Sequence, residues 1–143
     1  MNERSVDRVY KDIALGDTAS FALQITEKLV DEFASLTGDR NPLHTDVAYA
    51  RETYFGHRIA HGMLIGAFFS RLIGMHLPGT YALYLTQTLR FHRPVVLGTH
   101  VAVRGEVVHK SDAQMILTIK TAAVENVTGK VIVEGEATVQ MLQ

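Results

Sequence analysis

Residues 62–75 read GMLIGAFFSRLIGM, and the fold turns on them. Met63, Leu64, Ile65, Ala67, Phe68, Phe69, Leu72 and Ile73 carry apolar side chains almost all the way round a 3.6-residue period. The segment from about 59 to 75 is therefore predicted to be a central helix with no solvent face to spare. Arg71 interrupts the run, which also falls short of the ~20 apolar residues that cross a bilayer. Pro78 and Gly79 end it. A helix with no polar face has to be wrapped, and its flanks supply the wrapping. Downstream the period changes to two. Leu83, Leu85, Leu89 and Phe91 fall on one face, followed by Val101, Val103 and Val107, by the run from Met115 to Val124, and by Val131, Val133, Ala137 and Val139. KSDAQ (110–114) and NVTGK (126–130) read as hairpin turns.

Upstream, TASFALQIT (18–26) alternates loosely and predicts a strand over about 17–25. Thr26 has the chemistry of an N-cap. The helix behind it has Glu27, Asp31 and Glu32 early, Leu29, Val30, Phe33, Ala34 and Leu36 at helical spacing, and Gly38 as its stop. DVAYARETY (46–54) predicts a short further helix. The order β, α, buried α, then four strands in meander predicts an α+β architecture. One domain, residues 1–143, is expected: an antiparallel sheet curled around a long hydrophobic helix, the layout of the hot-dog fold.

Composition narrows the function. A chain of 143 residues can bury roughly 70% of its unfolded surface, enough for a real core. A net charge of -1 with mixed signs offers no basic footprint for nucleic acid. With no cysteine, disulfides, thiolate catalysis and cysteine-held metals are excluded. The opening MNERSVDRVYKD has no apolar core and carries Glu3, Asp7 and Asp12, so a cytoplasmic protein without a membrane span is expected.

Chemistry is sought where polar groups lack a packing reason. LTGDRNPLH (36–44) sets an acid, an amide and an imidazole around a proline. Pro42 fixes its own φ and drives Asn41 into an extended conformation, so the chain is not expected to stay helical there. Such a bend can bring Asp39 and His44 to one small volume, where they could orient and deprotonate a water. The same residues also serve as turn formers, and composition leaves both readings open. Gly62 falls in the first turn of the central helix. There its N–H, lacking an intrahelical partner, could meet an oxyanion, or the glycine could simply admit a close strand. Ser70 either bonds back to its own helix or faces a ligand. Gln87 interrupts the row Leu83, Leu85, Leu89, Phe91, and its amide needs partners, structural or in a pocket. His57 and His61 stand four apart, but flanking Gly56 and Gly62 and the lack of a placed acidic ligand argue against a metal site. Arg90, His92 and Arg93 fit a solvated strand face or a contact with carrier phosphates.

LTGDRNPLHTDVAYA (36–50) resembles the hydratase 2 motif of the (R)-specific enoyl-CoA hydratases, in the MaoC-like dehydratase family: an acid, one variable residue, Asn-Pro, an aliphatic residue and His. HGMLIGAFFSRLIGMHLPG (61–79) and YLTQTLRFHRPV (84–95) are similar to single-domain members, so the resemblance covers most of the chain from Phe33 to Val95. It implies a hot-dog fold, commonly a homodimer, with Asp39 and His44 catalytic and Asn41 in support. It further implies an oxyanion contact at the Gly62 N–H and Ser70 and Ile73 near the acyl pocket. His61, Met63 and Gln87 join Asn41, Ser70 and Ile73 as substrate-binding candidates.

The activity implied is reversible syn addition of water to trans-2-enoyl-CoA, giving (R)-3-hydroxyacyl-CoA, in fatty acid metabolism or polyhydroxyalkanoate precursor supply. No metal or redox cofactor is expected, because the thioester carbonyl is itself the electron sink and coenzyme A is part of the substrate. A 3-hydroxyacyl-ACP dehydratase and a hot-dog acyl-CoA thioesterase are the rival activities.

Overall fold

In the computed structural model, residues 3–143 are described. β1 (Thr18–Gln24) alternates between exposed and half-buried positions along its length. The Thr26 hydroxyl then accepts the Leu29 N–H at 3.2 Å and starts α1 (Glu27–Thr37), which Gly38 closes in the left-handed conformation, φ 79°. Two short helices follow, α2 (Pro42–Thr45) and α3 (Val47–Arg51), before the central α4 (Gly62–Arg71), which a π-helical turn extends from Leu72 to His76. Strands β2 (Ala82–Gln87), β3 (Arg90–Phe91), β4 (His100–Ser111), β5 (Ile116–Glu125) and β6 (Val131–Met141) complete the chain.

All strand pairings are antiparallel and form one six-stranded sheet in the order β1-β4-β5-β6-β2, with β3 also on β6. The 15-residue central helix (62–76) lies against this sheet, as the hot-dog reading expects. Its body packs Leu64, Ile65, Phe69 and Leu72 against Val101, Val103, Ala123 and Val133. Its π turn and the following residues put Ile73 and Leu77 over Val107, Leu117, Ile119 and Val139. Burying side chains of this size stabilises by about 1.5–3 kcal/mol each. Among the described residues, no helix is long and apolar enough to cross a membrane.

Five expectations are corrected. The helix begins at Gly62 rather than 59, because Ile59 is held in a β-bridge with Val96 and the Ala60 N–H donates to the Val95 carbonyl. Nor is it buried all round: Met63 (56% exposed), Ala67, Ser70 and Gly74 form an open stripe one turn apart. The strands are not a simple meander, since only β4, β5 and β6 run consecutively while β1 and β2 take the outer edges.

Leu83 and Leu85 do not point inward; each is 46% exposed, and Ala82 and Tyr84 take the inner positions. A register shift between Tyr84 and Thr86 then reverses the alternation, so a strict period of two carried across it assigns the wrong face. Finally, the chain around Pro42 is helical for one turn, because proline is favourable at the first helical position, where no N–H is required.

Candidate active site

The segment between α1 and α2 folds through its own side chains. The Asp39 N–H donates to the Thr37 hydroxyl at 3.2 Å, and Asp39 Oδ1 accepts the Asn41 N–H at 3.2 Å. Asn41 Oδ1 in turn accepts the Leu43 N–H at 3.0 Å, which makes Asn41 the N-cap of α2. Asn41 is extended, as Pro42 demands. α2 then swings His44 back toward Asp39, leaving the carboxylate exposed and the imidazole half-buried.

His44 is held from the opposite side by residues 58 and 59. Its Nδ1 lies 2.8 Å from the Ile59 carbonyl oxygen. A carbonyl only accepts, so Nδ1 carries the proton and Nε2 keeps a free lone pair. The Ile59 N–H donates to the Leu43 carbonyl at 3.3 Å, and Arg58 Nε donates to the His44 carbonyl at 2.5 Å. Arg58, which is 7% exposed, also sends its two remaining nitrogens to Glu27 and Asp31 on α1.

His61 caps the arrangement from beneath. Its ring stacks on His44 with centroids 3.9 Å apart and packs on Phe33 at 4.8 Å. Its Nε2 lies 3.0 Å from the Asp39 carbonyl oxygen and so is the protonated nitrogen, while the buried Nδ1 has no partner among the described residues. Asp39, His44 and His61 each bring one ligand-type atom within 4.8 Å of the others, a span that a single water can bridge. An acid and two imidazoles are also a donor set that a zinc-like ion accepts; the two backbone contacts leave one free nitrogen per ring, and that of His61 is shut off from solvent.

Beside His44 a recess of about 280 Å³ is lined by Ile59, Gly62, Ile65, Phe91, His92 and Arg93, among others. Gly62 is the first residue of α4, and its N-cap, His61, supplies no side-chain cap. The Leu64 and Ile65 N–H groups turn back to the His61 carbonyl, so those of Gly62 and Met63 project off the helix start, at its positive end. The recess is thus lined by His44 and by Gly62, whose N–H at the helix start has no partner among the described residues.

The structure gathers Asp39, Asn41, His44, His61 and Gly62 here. Met63 and Ser70 lie on the open stripe of α4, with Ser70 two turns beyond Gly62, and Ile73 is enclosed in the core. Gln87 spends its amide internally: Nε2 donates to Thr121 Oγ1 (3.0 Å) and to the Thr88 carbonyl (2.8 Å), and Oε1 accepts the Tyr84 hydroxyl. His57 is exposed and outside the cluster, and His92 pairs with Glu134 at 3.1 Å. Arg58 escaped the sequence reading; its only signal there is a charge immediately ahead of the apolar pair Ile59-Ala60.

The family profile of the MaoC like domain matches residues 14–130. An (R)-specific enoyl-CoA hydratase of Rhodospirillum rubrum is 41% identical over 132 residues, 92% of this chain and 90% of the relative. A mitochondrial 3-hydroxyacyl-[acyl-carrier-protein] dehydratase of Arabidopsis thaliana is 31% identical, covering 88% of this chain and 76% of the relative. Among solved structures, the (R)-hydratase from A. caviae involved in PHA biosynthesis superposes with a TM-score of 0.88 at 37% identity, covering 92% of this chain and 98% of that one.

Proposed function

The chain belongs to the MaoC-like dehydratase family, and from that premise we propose that it is an (R)-specific enoyl-CoA hydratase, a hydro-lyase adding water to trans-2-enoyl-CoA. The observation that carries the reading is His44, which keeps Nε2 unbonded, lies with a ring nitrogen within 4.8 Å of the Asp39 carboxylate, and lines one recess together with Gly62.

The double bond of a trans-2-enoyl thioester is conjugated to the carbonyl, so attack of water at C3 moves negative charge to the thioester oxygen. The Gly62 N–H meets that charge; losing one such donor costs roughly 3–4 kcal/mol. A water held between Asp39 and His44 gives its proton to the dyad as its oxygen bonds to C3. The dyad returns a proton to C2 on the same face, and the carbonyl re-forms. His44 Nε2 is the acceptor that the hydrogen bonding leaves open, and Asp39 holds the water. His61 positions both groups: its ring supports that of His44 while its N–H fixes the backbone of Asp39.

We place this activity in a single 143-residue domain, in the cytoplasm, where coenzyme A thioesters are at hand. We also infer a homodimer. The open stripe of Met63, Ala67 and Ser70 and the exposed Leu83 and Leu85 of edge strand β2 support it. A partner seated on that stripe would cover Met63 and Ser70, the latter placed near the acyl pocket by the family resemblance. The product suits PHA precursor supply, and PHA biosynthesis is the setting named for the A. caviae relative.

The test is the loss of the conjugated enoyl-thioester absorbance when crotonyl-CoA is added. The wild-type protein should consume it and Asp39→Asn should not. Thiol release from a saturated acyl-CoA would favour a thioesterase instead, and faster turnover on acyl-carrier-protein substrates would favour the dehydratase.

A further inference from the structure

We infer that Arg58 is a positioning residue for the hydration step, acting through His44; this rests on the hydratase reading above. Of the described residues, Arg58, His61 and Thr121 are the only buried polar or charged ones, and Arg58 alone carries a fixed charge. All three of its nitrogens are engaged. Nη1 reaches Glu27 Oε1 at 2.8 Å, Nη2 reaches Asp31 Oδ1 at 2.5 Å, and Nε reaches the His44 carbonyl oxygen at 2.5 Å.

The third contact is the one that bears on chemistry. A four-residue helix cannot satisfy its own last carbonyls. In α2, the Pro42 carbonyl accepts the Asp46 N–H, that of Leu43 accepts the Ile59 N–H, and that of His44 is left to the guanidinium. The ring of the same histidine donates from Nδ1 to the Ile59 carbonyl. Residues 58 and 59 therefore grip His44 at its backbone and its imidazole together, and the grip fixes both where the ring sits and which nitrogen is protonated. Glu27 and Asp31, one turn apart on α1, aim the fork, so the helix that precedes Asp39 is tied to the backbone of His44 through one planar group.

The carboxylates on Arg58 are 69% and 56% exposed. Removing the guanidinium hands them back to water rather than stranding buried charge, so the fold should tolerate its loss better than catalysis does. A catalytic group displaced by about 1 Å loses on the order of 100-fold in rate.

The experiment compares wild type with Arg58→Met, Arg58→Lys and the double variant Glu27→Gln/Asp31→Asn, all below their unfolding temperatures. Arg58→Met should lose roughly 10- to 100-fold in kcat on crotonyl-CoA with KM held within about threefold. Arg58→Lys should recover part of that loss. The double variant, which keeps Arg58 but removes the two carboxylates that aim it, should lose an intermediate part of kcat at constant KM while melting earlier. In ¹⁵N spectra, His44, identified by its absence in His44→Ala, should have a protonated Nδ1 in wild type and a tautomer mixture in Arg58→Met. A folded Arg58→Met with wild-type kcat overturns the inference, and so does a rise in KM alone, which would make Arg58 a substrate contact. Should Arg58→Met not fold, the Lys variant decides: unchanged kcat overturns, reduced kcat at constant KM supports. If wild type leaves crotonyl-CoA untouched, the hydratase reading fails by itself and the His44 tautomer alone decides the role of Arg58.

Discussion

His44 Nδ1 lies 2.8 Å from the carbonyl oxygen of Ile59, fifteen residues away, and that contact leaves Nε2 as the ring's basic atom. His44→Ala removes the proton acceptor and the donor to Ile59 in one step. General acid–base contributions of this kind amount to about 10²–10⁴-fold, and kcat should fall by that much. The near-buried Ile59 carbonyl loses its side-chain partner, at a cost of about 1–3 kcal/mol, so the variant should still fold. Steady-state kinetics alongside urea unfolding separates the two effects; a drop in stability with the rate preserved would remove His44 from the mechanism.

Gly62 is required by a neighbour as well as by the proposed chemistry. A Cβ at this position would sit 2.8 Å from Cδ1 and 2.9 Å from Cε1 of Phe91. Gly62→Ala should destabilise by about 1–3 kcal/mol through overpacking. Phe91→Ala vacates that space, so the double variant should be more stable than the sum of the two single losses, with a coupling of about 0.5–3 kcal/mol. Additive losses would mean that the ring swings away freely.

A harder clash is set at Gly135, where a Cβ would fall 1.7 Å from the backbone oxygen of Thr88. Thr88 is bound to β6 on both sides, its N–H to the Glu136 carbonyl at 3.0 Å and its hydroxyl to the Glu136 N–H at 2.9 Å. Neither backbone segment can yield cheaply. Gly135→Ala should cost about 3 kcal/mol or more, measured as a shift in the urea midpoint.

Burial pushes the Tyr84 hydroxyl from 10.0 up to about 12. A folded-state value above the unfolded one means that the native state holds its proton longer. Stability is thus undiminished below pH 10 and falls between pH 10 and about 12. Tyr10, raised to about 12 by desolvation and then by the Asp112 carboxylate, adds to the same fall. Tyr84→Phe should therefore lose stability less steeply over that window. At pH 7 it should be weaker than wild type by about 1 kcal/mol, having lost the bond to Gln87. Parallel unfolding curves at pH 7, 10 and 11 test this; equal slopes would contradict it.

Much of this was legible in the residues. The cap at Thr26, the stop at Gly38 and the turns around 110–114 and 126–130 are local chemistry, and local chemistry is written along the chain. The motif from Asp39 to His44 was legible for the same reason: its acid, amide and proline fold on one another within six residues. Where a period had to be carried across a bulge, as from Leu83 to Phe91, the reading put the wrong side chains inside.

Side chains a few positions apart were enough to read most helices and strands and to set Asp39 and His44 in one short loop, but not the helical turn at Pro42 or the start of the central helix at Gly62. Only the tertiary structure decided which nitrogen of His44 is free, that His61 stacks beneath it, and that Arg58 binds its backbone. Those contacts join residues 14 to 31 positions apart, and hydrogen-bond direction exists only once both partners are in place.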